Sequence, residues 1–258
     1  MRLFSLLMAA LLLSSTAVAD DVIQREVTLP DGLGKGVLFI DESLDKMTAG
    51  VIVVHEWWGM NDYVRNRARL LAEEGYVAFT VDMYGNNKVA SHPQDAKTFM
   101  EQALANPETM TRRFNAAKAI LRDQQYVTDD RIFAVGYCFG GGVVLEQARR
   151  GNDLAGVASF HGPLGTSHRA EPGDIKARIL VATGQADAMV PAEQVSALVN
   201  ELTHAGARFE LLSFPGAKHG FTNPKSDENG RRFDLPLAYD KHADQASWAS
   251  LLDFIDQS

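Results

Sequence analysis

The stretches Val51–Val54, Val77–Val81, Ile132–Val135, Val157–Phe160 and Ile179–Ala182 are short, nearly continuous apolar runs rich in β-branched residues. They lack the strict apolar–polar alternation of a strand with one wet face. Runs of this kind belong inside a sheet covered on both faces, which in practice is a parallel sheet flanked by helices. The intervening segments carry the helical period. Val64, Ala68 and Leu71 form one stripe, with Asn61 placed to cap the helix and Gly75 to end it. Met110, Phe114, Ala117 and Leu121 form a second. Val195, Leu198, Val199 and Leu202 form a third, with Pro191 at a first-turn position and Gly206 beyond the end. Trp248, Leu251, Leu252 and Ile255 form the last. Val22–Leu29 and Gly36–Ile40 precede these units without a helix between them, which predicts an antiparallel edge, and Phe209–Phe214 is the final strand candidate. The expected class is α/β: a mostly parallel central sheet of about eight strands with helices on both faces.

The chain has 258 residues, long enough for one large α/β domain, expected over residues 20–258, and no repeat or Pro/Gly/Ser-rich linker divides it. With 33 acidic against 25 basic side chains the net charge is -8, which repels phosphate backbones and anionic lipid. Nucleic-acid binding and membrane anchoring are therefore not expected. The composition contains a single cysteine, which excludes an internal disulfide and a thiolate zinc site. Residues 1–19 read as a secretory signal peptide: Arg2, an apolar run from Leu3 to Leu13, and the small-x-small end Ala17-Val18-Ala19. The run falls short of the roughly 20 residues that span a bilayer, and no cysteine follows the cleavage point to carry a lipid. An exported, periplasmic or secreted protein is expected.

The segment most directly tied to chemistry is Ile132-Phe133-Ala134-Val135-Gly136-Tyr137-Cys138-Phe139-Gly140-Gly141-Gly142. A β-run enters Gly-x-Cys-x-Gly and a helix-period segment leaves it, the pattern of a nucleophile elbow with cysteine in the serine position. Such a turn sets the sulfur at a helix N-terminus, where the dipole and free N–H groups favour thiolate. The same geometry makes the Phe139 N–H an oxyanion donor. In an isolated setting this cysteine would read as a small buried hydrophobe; the strand–turn–helix context reverses that preference.

Partners of such a nucleophile follow in the order acid, then histidine, each just past a strand. Asp187 comes after Ile179–Ala182 and His219 after Phe209–Phe214. Taken singly, Asp187 also reads as a cap for the helix near Pro191, and His219 as an ordinary loop histidine. Their joint order favours Cys138 as nucleophile, His219 as base and Asp187 as the group that orients it. Before them, Val51–Val54 runs into His55-Glu56-Trp57-Trp58-Gly59, where the second oxyanion donor of this architecture lies. A zinc-protease helix would need histidine where Gly59 stands, so no metal is assigned and no cofactor is expected. Glu56 reads equally as a carboxylate near the sulfur or as a solvated loop residue.

Together His55-Glu56-Trp57-Trp58-Gly59, Gly136-Tyr137-Cys138-Phe139-Gly140-Gly141, Gly184-Gln185-Ala186-Asp187 and His219-Gly220-Phe221 resemble the dienelactone hydrolases over essentially the whole mature chain. The resemblance implies an α/β-hydrolase that opens enol-lactones through a Cys-His-Asp triad without a cofactor. It further implies that Glu56 contacts and helps activate the thiol, and that the Trp57 and Phe139 N–H groups form the oxyanion hole. The chain departs from the family where substrate is chosen. The arginines that hold a substrate carboxylate are missing from Asp82-Met83-Tyr84-Gly85-Asn86 and from His219-Gly220-Phe221-Thr222-Asn223. Exchanging a bidentate cation for Asn removes the anchor for an anion, so neutral lactones or esters are expected, and a physiological substrate other than dienelactone.

Tyr84, Trp58 and His161 are candidate substrate contacts, each also readable as packing or a core polar group. Residues 225–232 read as a solvated loop that can offer a replacement cation. The leading expectation is a cysteine hydrolase of small esters or lactones, acting as a monomer or small homo-oligomer. The alternatives are a hydrolase-fold protein that binds without turnover, and a redox-reactive exported thiol. The intact triad argues against the first, and the lack of a second, resolving cysteine against the other.

Overall fold

The structure is a computed structural model that describes residues 21–257. The segment read as an export signal lies outside the described residues. Eight strands form one sheet: β1 (Val22–Thr28), β2 (Lys35–Asp41), β3 (Thr48–Val54), β4 (Val77–Val81), β5 (Val127–Tyr137), β6 (Gly156–Phe160), β7 (Arg178–Gly184) and β8 (Phe209–Phe214). Their order is β1-β2-β4-β3-β5-β6-β7-β8. β1 and β2 pair antiparallel with their neighbours and every other pairing is parallel. The expected antiparallel edge is therefore present.

The helices are α1 (Asp62–Glu73), α2 (Pro93–Leu104), α3 (Pro107–Arg122), α4 (Phe139–Arg149), α5 (Ala192–His204), α6 (Ser226–Phe233) and α7 (Lys241–Asp256). The period-2 rule divides β3 between the two sides. Val51 and Val53 pack with α1 and α7 through Val64, Ala68, Leu251 and Phe254. Ile52 and Val54 pack with α3, α4 and α5 through Phe114, Leu121, Val144 and Leu198. This two-sided burial is the reason the central strands carry no polar face.

Local signals in the sequence hold at several ends. The Asn61 side chain accepts from Tyr63 N and Val64 N at the start of α1, and Gly75 takes a positive φ of 87° just after it. Pro191 sits one position earlier than expected, as the cap of α5 rather than within its first turn. β5 begins at Val127, well before Ile132, because its start pairs with Thr48 across an irregularity in register. Residues 225–232, read as a loop, instead fold largely into α6, with Asp227 and Glu228 in its first turn and Arg231 and Arg232 in its last. That charge order suits the helix dipole, and Gly230 meets the chain so closely that an added Cβ would lie 2.6 Å from Leu237 O. α2 also went unread, because it buries only Ala96 and Ala103 and so leaves no apolar stripe.

The parallel strands deliver their C-terminal ends to one edge of the sheet. From β3 the chain passes to β4 on one side, while β5 lies on the other, so the order reverses between β3 and β5. Crevices at such reversals are the common binding sites of open α/β sheets. The loop after β3 carries Glu56, and the turn after β5 carries Cys138.

Candidate active site

Cys138 joins β5 to α4 with φ 51° and ψ -119°, a conformation that costs a non-glycine residue about 1–3 kcal/mol. The surroundings hold it there. Its N–H donates to Phe160 O at 3.0 Å, and its carbonyl accepts from Gly141 N at 2.9 Å. Close approach explains two of the glycines. A Cβ on Gly136 would lie 2.0 Å from Gly140 O, and one on Gly140 would lie 2.4 Å from Val54 O. The elbow thus locks α4 against β3, and Gly140 N donates to His55 O at 3.1 Å. Among the described residues, no internal acceptor takes the N–H of Phe139 or of Trp57. Both residues line the cavity above the sulfur, so both donors are available to an oxyanion.

Asp187 and His219 arrive from β7 and β8 and meet. His219 Nδ1 lies 2.9 Å from Asp187 Oδ2, with both side chains buried. Asp187 also serves its second reading: Oδ1 accepts from Met189 N at 2.8 Å and Val190 N at 3.2 Å. One oxygen fixes the turn before α5, which aims the other at the imidazole. His219 Nε2 makes no hydrogen bond of ordinary geometry, although the Cys138 sulfur is near enough to act on it. Burial alone would lower the His219 pKa; the negative charge available at Cys138 and the bond to Asp187 outweigh this and raise it to about 10. The arrangement favours a protonated imidazole facing the Cys138 sulfur.

Glu56 is buried, and its Oε2 accepts from Asn223 Nδ2 at 2.7 Å. Desolvation pushes its pKa up to about 7, against the opposing pull of Asn223, His219 and Arg67. The solvated-loop reading of Glu56 is excluded by this burial. Asn223, read from the sequence as the residue standing in for a substrate arginine, is instead the partner of Glu56. Asn86, in the other arginine neighbourhood, is exposed with φ 58°. His55 supports the loop: its Nδ1 lies 2.6 Å from Glu56 O, and its Nε2 accepts from Met83 N at 3.1 Å. Burial lowers its pKa and keeps it neutral.

The candidate substrate contacts fare differently. Tyr84 is committed to structure, since its hydroxyl donates to Trp57 O at 2.9 Å and so braces the loop after β3. Trp58 does not reach the cavity. It is buried against Ala90, Ala96 and Phe233, and Trp57 takes the wall position instead, because consecutive residues of this turn face opposite ways. His161 also lies off the cavity, fully buried behind the triad with φ 40°. Its ring meets His219 edge-on at 5.2 Å, and its Nε2 lies 2.7 Å from Thr222 Oγ1.

Sequence reasoning missed the polar assembly behind the triad. Thr222 Oγ1 also lies 2.5 Å from Tyr63 Oη. The buried Arg67 donates to Thr222 O and to Asp244, and the hydroxyl of Tyr239 donates to Asp244 at 3.1 Å. One signal was present: Arg67 falls three residues after Val64, on the buried stripe of α1. Also missed were the apolar walls Met100, Leu104, Met189 and Leu237, which come from segments with no mutual sequence relation.

An eight-stranded, mostly parallel sheet with a strained Gly-x-Cys-x-Gly turn and an Asp–His pair at its C-terminal edge defines an α/β-hydrolase. The chain belongs to the dienelactone hydrolase family, a family of ester and lactone hydrolases, whose profile matches residues 35–258. Among solved structures, it resembles a dienelactone hydrolase-like promiscuous phosphotriesterase from metagenomic libraries. The two share 30% identity at a TM-score of 0.83, over 92% of this chain and 98% of the other. It is 29% identical over 185 residues to the protein usf of Aquifex pyrophilus, covering 69% of this chain and 79% of that one. A provisionally named carboxymethylenebutenolidase of Aquifex aeolicus is 28% identical over 184 residues, covering 69% and 78%.

Proposed function

We propose that the chain hydrolyses small esters or lactones through Cys138, with His219 as base, Asp187 orienting it and Glu56 as an auxiliary carboxylate. The observation that carries this reading is the Asp187–His219 pair at 2.9 Å, facing a cysteine held in a strained turn at the floor of the same cavity. The Cys138 thiolate attacks the acyl carbon, and the carbonyl oxygen gathers charge against the Trp57 and Phe139 N–H groups. As the tetrahedral adduct collapses, the C–O bond breaks and His219 protonates the departing alkoxide, leaving a thioester on Cys138. Water then gives its proton to His219 and adds to the thioester. Collapse expels the thiolate and releases the acid. In a lactone the alkoxide stays tethered and the product is a single hydroxy acid.

Glu56, poised near neutrality, supplies a second proton site beside the imidazole. A neutral Asn223 leaves it ionisable without pairing it to a cation. The mature chain is proposed to begin after Ala19 and to act outside the cytoplasm, which N-terminal sequencing of the exported protein tests.

The deciding experiment is a panel of activated esters, lactones and a neutral phosphotriester, assayed with the wild type and Cys138→Ala. Loss of at least a thousandfold in kcat/KM for Cys138→Ala is expected, with a single acyl adduct on the wild type in intact-mass spectra under rapid quench. Equal turnover by both proteins sinks the assignment, and iodoacetamide labelling of Cys138 only after denaturation would mark it as a buried structural thiol.

A further inference from the structure

The cavity above Cys138 holds about 310 Å³, and its wall says more about substrate than the triad does. It is built from Trp57, Met100, Leu104, Met189, Val190 and Leu237 around Cys138 and His219, and among the described residues no lysine or arginine lines it. The nearby buried or half-buried cations are already engaged elsewhere. Arg67 is bound to Thr222 O and Asp244, Arg113 to Leu33 O and Met83 O, and Arg149 to Glu201 and Leu164 O. The Arg232 guanidinium lies over the Phe233 ring, 4.9 Å from its centroid. A substrate carboxylate entering this cavity would lose its water and gain no cation in return. Among the described residues that line the cavity, the one positive group it would meet is the His219 imidazolium, whose Nδ1 is already bound to Asp187. Glu56, buried close to His219, adds a further negative charge when ionised.

The apolar wall does not stop at the mouth. Leu104, at the end of α2, is 51% exposed, and Met189, in the turn after β7, is 37% exposed. Large apolar side chains left in water at the lip of a cavity extend its apolar surface outward. Two of the wall residues are methionines, whose unbranched side chains adapt to ligands of different shape. On the assignment of Cys138 as nucleophile, we propose that the site selects uncharged esters bearing an extended, unbranched apolar chain. The first part of that chain lies within the cavity and its end lies on the Leu104–Met189 lip; substrates with a carboxylate are rejected.

The test uses the intact protein and p-nitrophenyl esters of acetate, butanoate, hexanoate and octanoate, together with the succinate half-ester and its methyl ester. The expected kcat/KM rises severalfold per added methylene, about fourfold where the methylene is fully buried, and flattens once the chain reaches the lip. The methyl succinyl ester is expected to exceed the free carboxylate by a hundredfold or more. Leu104→Ser and Met189→Ser should each lower the octanoate-to-acetate ratio by about five- to tenfold. Leu104→Arg, at an exposed position that tolerates charge, should raise the carboxylate-to-methyl-ester ratio at least tenfold. A flat chain-length profile, or a preference for the free carboxylate in the wild type, overturns the proposal. If those results come from turnover that Cys138→Ala abolishes, only the substrate class is wrong; if Cys138→Ala retains turnover, the assignment of the nucleophile has failed instead.

Discussion

The two sides of the catalytic layer are built on opposite principles. In front of Cys138 and His219 lies an apolar cavity walled by methionine, leucine and tryptophan. Behind them lies a closed polar assembly. Arg67 sits among the rings of Tyr63, Tyr137 and Trp248 at 5.3–5.5 Å and bonds Thr222 O and Asp244, while Thr222 Oγ1 joins Tyr63 and His161. Three of these contacts, from Arg67, Tyr63 and His161, converge on Thr222 in the short segment from His219 to Asn223. That segment carries His219 at one end and the partner of Glu56 at the other. The difference teaches a division of labour. The rear fixes where His219 and Asn223 stand, because hydrogen bonds are directional and costly to leave unmade when buried. The front imposes shape and polarity, because apolar contact is non-directional.

If the rear holds the geometry, removing its central cation should produce the largest combined effect. Arg67→Met keeps much of the apolar stem but strands Asp244 and the Thr222 carbonyl. A loss of about 3–5 kcal/mol is expected, as for breaking a buried ion pair, read as a lower urea midpoint at constant m. In protein that still folds, kcat should fall at least tenfold while KM for a neutral ester moves less than threefold. A shift in KM with kcat intact would show that the rear assembly instead shapes the cavity.

Glu56 stands at the boundary between the two sides, and Glu56→Gln should separate its chemical role from its cost to stability. An expected drop in kcat of tenfold or more comes with a gain in stability at alkaline pH. Burial raises the folded pKa to about 7 from a model value of 4.5. The folded state therefore holds the proton more tightly than the unfolded chain between those values. Stability contributed by protonated Glu56 is fully present below about pH 4.5 and is lost as pH rises to about 7. Glutamine removes that loss, so the variant's advantage should be near zero at pH 4.5, grow to about 1–3 kcal/mol by pH 7 and then level off. Thermal unfolding across this range checks it; a pH-independent difference would mean that burial does not move Glu56 from its unfolded value, and a difference that keeps growing above pH 7 would mean that it stays protonated in place.

The smallest expected effect is at Tyr84, which the comparison assigns to support. Tyr84→Phe deletes the bond to Trp57 O and should cost about 1 kcal/mol of stability. It should also lower kcat a fewfold by loosening the oxyanion loop, with KM unchanged. A raised KM for neutral esters would instead return Tyr84 to the substrate side.

Much of the framework was legible in the sequence because its signals are local. A run such as Ile132–Val135 must be covered on both faces whatever surrounds it, and Asn61 caps α1 through donors two and three residues away. The elbow was legible for the same reason: Gly136 and Gly140 are forced by approaches within a few residues of Cys138 and to the adjacent strand. α2 and α6 were not, since their buried faces are made of Ala96, Ala103, Ser226 and Gly230, too small to stand out as a stripe.

The sequence alone determined that Cys138, Asp187 and His219 reach one edge of one sheet, because each follows a strand and parallel strands end together. Only the tertiary structure decided what those residues face. Asn223 turns to Glu56 rather than to substrate, Trp57 takes the cavity while Trp58 takes the core, and His161 lies behind the base rather than in front of it. These outcomes depend on side-chain direction at loop positions with no fixed period. They depend too on partners as distant as Arg67 and Asp244, whose contact across 177 positions no local pattern encodes. Chain-local sterics write the strand ends; the packing of loops from different parts of the chain chooses the neighbours.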